Sequence, residues 1–207
     1  MNRFKTEQEI FWAGGFGDDY VSRNKSARLF ASNTAFFSKI IPRTTGVKSL
    51  LEFGANIGMN LHAIRSLLPD IELSAIEINQ YAVSELRKID HISIYPQSIL
   101  DFSPERTWDF ILIKGVLIHI DPESLKQVYD LLYRSSGRYI CVAEYYNPSP
   151  VEVKYRGHSG KLFKRDFAGE MLDQFPGLKL LDYGFTYHRD INFPQDDITW
   201  FLLEKIC

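Results

Sequence analysis

Cysteine is nearly missing from this 207-residue sequence: Cys141 and Cys207 are its only two. Cysteines so far apart form neither a disulfide framework nor a metal-binding cluster, and a reducing cytoplasm is the expected setting. Long apolar runs are missing as well. No stretch approaches the ~20 residues of a membrane-spanning helix. Met1 to Glu9 is polar and lacks the apolar core of an export signal. An excess of one charge is equally lacking, since 24 Lys and Arg stand against 26 Asp and Glu, mixed along the chain. That leaves no basic footprint for nucleic acid. Metal-ligand spacings, internal repeats and low-complexity segments do not occur. A small polar molecule suits such a chain better as partner. With 45% hydrophobic and 14% aromatic residues, one domain with a full core is expected.

What is present is an alternation. Residues 1 to 24 carry glycines and aromatics without a clear period. Lys25 to Ile41 reads as a helix, with Leu29, Phe30, Phe36, Phe37 and Ile40 near one face, Asn24 as cap and Pro42 beyond the end. Strands follow at Val47–Phe53, Ile71–Glu77, His91–Tyr95, Trp108–Lys114 and Arg138–Glu144. Helices fall at Gly58–Leu68, Gln80–Lys88 and Pro122–Arg134, the last capped by Asp121. Strands alternating with helices imply a parallel sheet covered on both faces, a doubly wound α/β fold. Leu178–His188 and Ile198–Lys205 break the rhythm, because no helix separates them; they read as a closing antiparallel hairpin.

Open α/β sheets bind ligands at the carboxyl ends of their strands, where strand order reverses. The first such end is Glu52-Phe53-Gly54-Ala55-Asn56-Ile57-Gly58. Gly54 allows a tight exit from the strand and a close ligand approach, and Gly58 opens the helix. Glu77 ends the second strand, where a carboxylate can accept hydrogen bonds from two neighbouring ribose hydroxyls. A dinucleotide site fits less well. Its third glycine is missing, and Glu52 before the first glycine would repel a pyrophosphate but welcome a sulfonium or an ammonium.

Glu-x-Gly-x-Asn-x-Gly after a first strand, an acid ending the second and a terminal hairpin together resemble the class I S-adenosylmethionine-dependent methyltransferases. The resemblance runs from about Val47 onward. It implies a Rossmann-like methyltransferase fold, a mostly parallel seven-stranded sheet with a C-terminal antiparallel hairpin. It also implies S-adenosyl-L-methionine as cofactor and S-adenosyl-L-homocysteine as product. By this resemblance Gly54, Asn56 and Gly58 border the methionine part and Glu77 holds the ribose, with Glu52, Ala55 and Ile78 also among the cofactor-binding residues. Ser98 and Ile99, after Gln97, meet the adenine. Lys114, Gly115 and Val116 lie beside the cofactor's amino acid, with the Lys114 side chain free to turn to solvent. Residues 46–207 then form the cofactor domain, and residues 1–45 an arm and helix covering the site within one structural unit.

Two further segments point to the acceptor. Phe11 to Asn24 mixes glycines with aromatics, as a cover that excludes water would; Trp12, Phe16, Tyr20, Arg23 and Asn24 are its candidate contacts. Glu144 to Phe167 starts at a strand's carboxyl end and is locally cationic, with Tyr146, Asn147, Tyr155, Arg156 and Lys164 as candidates. Phe-Trp-x-Gly-x-Phe-Gly-Asp-x-Tyr-x-x-Arg-Asn, with the later Tyr-Arg-Gly-His and Phe-Lys-Arg-Asp-Phe, resembles the methylases associated with pseudaminic acid biosynthesis. That resemblance implies an acceptor among nonulosonic-acid-type or nucleotide-linked sugars, methylated on O or N, with neither nucleic acid nor membrane as partner. A protein or peptide acceptor, or a non-catalytic cofactor-binding module, are the alternatives. His119 is the first candidate for a base, since an unperturbed imidazole titrates near neutrality, and His158 and Tyr146 follow.

Overall fold

The computed structural model describes residues 4–23 and 26–206. Among them no helix is long and apolar enough to cross a membrane. Three helices come first: α1 (Glu7–Ala13), α2 (Gly15–Arg23) and α3 (Ala27–Ile40). The alternating part follows as β1 (Ser49–Phe53), α4 (Met59–Leu67), β2 (Glu72–Ile76), α5 (Gln80–Leu86), β3 (Ile92–Tyr95), β4 (Trp108–Lys114), α6 (Leu125–Ser135) and β5 (Ser136–Glu144). A two-stranded ribbon, β6 (Val151–Glu152) with β7 (Phe163–Lys164), precedes α7 (Phe167–Gln174), β8 (Leu178–Phe185) and β9 (Thr199–Lys205).

The seven-stranded sheet has the order β3-β2-β1-β4-β5-β9-β8, and β9 is antiparallel to both neighbours. The expected antiparallel hairpin is therefore present at the sheet edge, with β9 next to β5 and β8 outermost. Successive strands extend to opposite sides of β1, so strand order reverses between β1 and β4, the position where such sheets open a crevice.

Side-chain alternation explains the two cores. Leu51, Phe53, Ile111, Ile113, Ile140 and Val142 face α6 and α7. Leu50, Leu73, Ala75, Phe110, Leu112 and Cys141 face α3, α4 and α5. The second face matters for the site: Glu52 follows Leu50 on it, and Lys114 follows Leu112.

The N-terminal region departs from the expectation of an irregular arm. A capping box starts α1, with Thr6 Oγ1 accepting from the Glu9 N–H while the Glu9 carboxylate accepts from the Thr6 N–H. Short helices of this kind carry too few apolar repeats to show a period. For α3 the cap is Ser26, which accepts from the Leu29 N–H; the anticipated cap Asn24 lies outside the described residues, as does Lys25. The last missed element is α7, whose single helical face is broken by Gly169 and whose cap is Asp166.

Packing between α1 and α2 leaves no room at Gly17. A Cβ there would fall 2.0 Å from the Trp12 carbonyl oxygen and 2.8 Å from Asn79 Nδ2. Because a backbone atom cannot step aside, Gly17→Ala should lower stability by about 1–3 kcal/mol, the usual range for overpacking. Chemical denaturation measures this, and an unchanged midpoint would contradict the packing.

Candidate cofactor and acceptor site

A cavity of about 470 Å³ opens above the carboxyl ends of β1, β2 and β4, within the size range of small-molecule sites. Its floor is the β1–α4 turn. Gly54 (φ 72°) and Asn56 (φ 49°) both take left-handed backbone, which glycine adopts freely and asparagine tolerates. A Cβ at Gly54 would strike Val116 Cγ2 at 2.7 Å, so this glycine lets the β4 loop close over the turn. Gly58 serves packing instead, because a Cβ there would meet Ile89 and Leu86.

Glu77 binds this turn to the next one. Its Oε2 accepts from the Asn56 N–H and its Oε1 from the Asn79 N–H, both at 2.7 Å. Burial raises its pKa, and the backbone donors Asn79, Asn56 and Ile78 oppose the rise. Each oxygen keeps further acceptor capacity toward the cavity, which Glu77 lines. Asn79 carries the connection onward. Its Oδ1 caps α5 at the Ala82 N–H, and its Nδ2 donates to the Trp12 carbonyl at 3.2 Å and to Asp18 at 2.8 Å.

The β4 side carries charge. Lys114 lines the cavity with its Nζ 5.6 Å from the Phe36 ring centre, and makes no hydrogen bond or ion pair among the described residues. Burial depresses its pKa, and the field of Glu52 opposes that most. The side chain thus turns inward, contrary to the solvent-facing reading, because 110, 112 and 114 share the face toward α3. Glu52 is buried behind Asn60, which donates to its Oε1 at 2.6 Å. Desolvation pushes the Glu52 carboxyl up to about 8. Glu52 does not itself line the cavity. Three side-chain oxygens here are buried without a partner among the described residues: Glu52 Oε2, Asn56 Oδ1 and Asn60 Oδ1. Lys114 and these three oxygens are thus all without a hydrogen-bonding partner among the described residues.

The loop after β4 brings His119 to the wall. Glu144, at the end of β5, accepts from the Val116 and Leu117 N–H groups at 2.9 Å and so fixes the turn that presents His119. His119 Nδ1 lies 2.6 Å from the Lys161 carbonyl, so Nδ1 carries the proton and Nε2 is the basic nitrogen. Its ring packs on Trp12 (4.6 Å) and Tyr155 (4.9 Å). Desolvation lowers its pKa to about 4, well below the expected value near neutrality.

The cavity brings together Gly54, Ala55, Asn56, Glu77, Ile78, Ser98, Ile99, Lys114, Gly115, Val116, His119, Trp12 and Tyr20 from the sequence-derived candidates. Ser98 is already engaged, donating to Glu9 and capping the Leu100 N–H. Other candidates lie elsewhere. Phe16 stacks on Phe11 at 4.1 Å, and His158 packs edge-on against the same ring. Tyr155 supports His119 from behind. Tyr146, Asn147 and Arg156 do not line the cavity, and Lys164 sits over the Tyr145 ring. Strand-end logic placed this segment over the site, but the β6–β7 ribbon turns it aside. Asn24 and the Arg23 side chain are outside the described residues. Among the described residues no group of His, Cys, Asp and Glu is placed to hold a metal ion.

Several lining residues escaped the sequence reading: Asn33, Asn60, Asn79, Gln195, Asp196 and His188. Asn33 and Gln195 are buried and joined by a 3.0 Å hydrogen bond that ties α3 to the β8–β9 loop. An asparagine at a core position of an amphipathic helix was the available signal for Asn33. Asn79 had one too, as an N-cap directly after Glu77.

No family model and no curated protein matches the chain. Solved structures do. It is similar to the plantazolicin methyltransferase BpumL, in complex with a pentazolic desmethylPZN analog and SAH, at 15% identity and TM-score 0.64, covering 97% of this chain and 98% of that one. It is similar to the N-methyltransferase NodS from Bradyrhizobium japonicum WM9, in complex with SAH, at 14% identity and TM-score 0.68, covering 91% and 95%. The glycopeptide N-methyltransferase MtfA with SAH matches at 12% identity and TM-score 0.65, covering 93% and 98%. The fold is that of these Rossmann-like methyltransferases.

The buried Glu52 yields a pH test. Its carboxyl titrates near 4.5 when exposed and near 8 in the fold. A raised carboxyl pKa stabilises the folded state at low pH, and that contribution is lost as pH rises toward the folded value. Glu52→Gln should therefore gain melting temperature over the wild type progressively between roughly pH 5 and pH 8. A difference independent of pH in thermal melts would place the titration elsewhere.

Proposed function

We propose that this protein is an S-adenosylmethionine-dependent methyltransferase acting on a small polar acceptor. The observation that carries the reading is the pairing of Lys114, an unpaired ammonium, with the unpartnered oxygens of Glu52, Asn56 and Asn60. That arrangement complements an α-amino acid, whose carboxylate would meet Lys114 and whose ammonium would meet the Asn56 and Asn60 side, with the Glu52 carboxyl behind Asn60. Next to it Gly54 and Asn56 offer close backbone, and Glu77 offers carboxylate lone pairs to neighbouring hydroxyls. Ile78, Ile99 and Val116 give an apolar slot beyond. A ligand joining an amino acid to a nucleoside fits that order. S-Adenosylmethionine, when bound, supplies an electrophilic methyl on a sulfonium, and the likeness to methyltransferases holding SAH supports that choice.

The chain's own residues do three things in this reading. Glu77 and the Gly54–Asn56 turn hold the nucleoside. Lys114, Asn60 and Asn33 orient the amino-acid end. Trp12, Tyr20 and His119 wall the acceptor side and exclude water, so that acceptor and methyl are held in line. Such alignment is worth on the order of 7–11 kcal/mol in well-oriented reactions.

For the acceptor we keep a sugar acid or nucleotide-linked sugar as the finer proposal. Its support rests on the Phe11–Asn24 motif and on Lys114, the only Lys or Arg lining the cavity among the described residues. The cationic segment Tyr145–Phe167 adds nothing, since Arg156 and Lys164 do not line the cavity. Peptide methylation is the second reading, favoured by the plantazolicin and glycopeptide methyltransferases among the structural neighbours. Methyl transfer from labelled cofactor to metabolite and peptide fractions separates the two.

Calorimetry tests the cofactor. S-Adenosylhomocysteine should bind at micromolar to submillimolar levels, and no heat in that range would defeat the proposal. Glu77→Ala should weaken this binding about tenfold or more, since it removes the ribose contact and frees both turns. An affinity within a factor of two of wild type would remove Glu77 from that role.

A further inference from the structure

The geometry points to a hydroxyl oxygen as the atom that is methylated. This rests on the methyltransferase reading above and goes on to choose between oxygen and nitrogen. It starts from two side chains on the acceptor wall. The Trp12 indole N–H is buried and has no acceptor among the described residues. His119 Nε2 makes no hydrogen bond among them, and its tautomer is set by the Nδ1 contact to Lys161. The two rings lie 4.6 Å apart and both line the cavity.

Neither group is free to adapt. Trp12 is held edge-on by Phe16 (5.4 Å) and Tyr20 (5.3 Å), and its carbonyl by Asn79. His119 is backed by Tyr155. The wall therefore carries one unpartnered donor and one unpartnered acceptor on rings 4.6 Å apart. A buried indole N–H without a partner is destabilising, and a matching ligand relieves that cost.

Electron count decides what matches. A nucleophile must aim one lone pair at the methyl carbon. A hydroxyl oxygen has a second pair, which accepts from Trp12 Nε1–H, and a proton, which it donates to His119 Nε2. A neutral amine has one lone pair only. Pointed at the methyl, it cannot also accept from Trp12, and the indole N–H stays orphaned. The pair thus favours oxygen.

The step then balances. The hydroxyl oxygen forms a bond to the methyl carbon, and the carbon–sulfur bond breaks with its electrons going to sulfur. The sulfonium becomes a neutral thioether, and the hydroxyl proton passes to His119 Nε2. A weakly basic imidazole suffices, because the proton leaves an oxygen that has gained a methyl group and become strongly acidic. It also remains unprotonated, and ready to accept, over the whole neutral range.

The experiment works with an unidentified acceptor. Protein, carbon-13-methyl S-adenosylmethionine and a small-molecule cell extract are incubated, and the labelled methyl is read by carbon NMR, where O–CH3 and N–CH3 signals do not overlap. The expected product signal is O–CH3. An N–CH3 signal would overturn the inference. A wild type that transfers no methyl to any fraction fails the methyltransferase reading itself, which is a separate result. Trp12→Phe keeps the ring and removes the N–H; His119→Phe keeps a ring and removes the lone pair. Each should slow transfer roughly tenfold or more, with S-adenosylhomocysteine affinity unchanged as the control for folding. Full activity in both variants would overturn the assignment. A further readout needs no turnover. With S-adenosylhomocysteine and the same extract, the Trp12 indole proton, identified by its loss in Trp12→Phe, should shift in the NMR spectrum; a stationary resonance counts against it.

Discussion

The Glu77 carboxylate is the hinge on which the site depends. It touches both of the first two strand-end turns, through the Asn56 and Asn79 N–H groups. Backbone donors at 2.7 Å to a buried carboxylate are charge-assisted and fix both partners in direction. Asn56 is thereby held in left-handed backbone, and Asn79 in the pose that caps α5. From Asn79 the same restraint reaches Trp12 and Asp18, so the N-terminal helices are anchored to the turn that offers Glu77 to a ligand. The floor of the cavity and its Trp12 wall are joined through one acid and one amide.

A second acid plays the matching part across the cavity. Glu144 occupies the Val116 and Leu117 N–H groups and shapes the turn carrying His119. Its carboxyl is pushed up to about 7 by burial, with those donors pulling the other way. Side chains at the ends of β2 and β5 thus order the loops after β1 and β4. Polar groups buried for this purpose are costly unless satisfied. In both acids the donors are backbone N–H groups that the turns leave without ladder partners; both Glu77 oxygens are engaged in this way, whereas Glu144 Oε2 stays buried without a partner among the described residues.

The fold was largely legible because its signals are local. A short, mostly apolar run such as Trp108–Lys114 reads as a buried strand, and Gly54, Gly58 and Glu77 mark strand ends by residue type. The helices α1 and α2 were not legible. Each is at most nine residues long, and their stability comes from a capping box, Gly17 and contacts made far away in sequence. The site followed the same division. Residues on strand-end turns could be placed, since topology alone puts them at the crevice. Tyr146, Arg156, His158 and Lys164 could not, because a two-residue ribbon pairing, Val151–Lys164 and Glu152–Phe163, redirects the segment, and nothing local encodes it. Asn33 and Gln195 met across the interior from positions far apart, which a single sequence does not reveal.

The electrostatics of the cavity follow from strand parity rather than from composition. A net charge near zero says nothing about a site, yet Glu52 and Lys114 must face the same side because each follows a core leucine two positions earlier on neighbouring strands. Burial disfavours the charged form of both, raising the Glu52 carboxyl to about 8 and depressing the Lys114 pKa. Each favours the charged form of the other, but they make no direct bond. An acid and a base at strand ends, where apolar side chains would pack at less cost, fit the proposal above that the zwitterionic end of a ligand is received between the two sides.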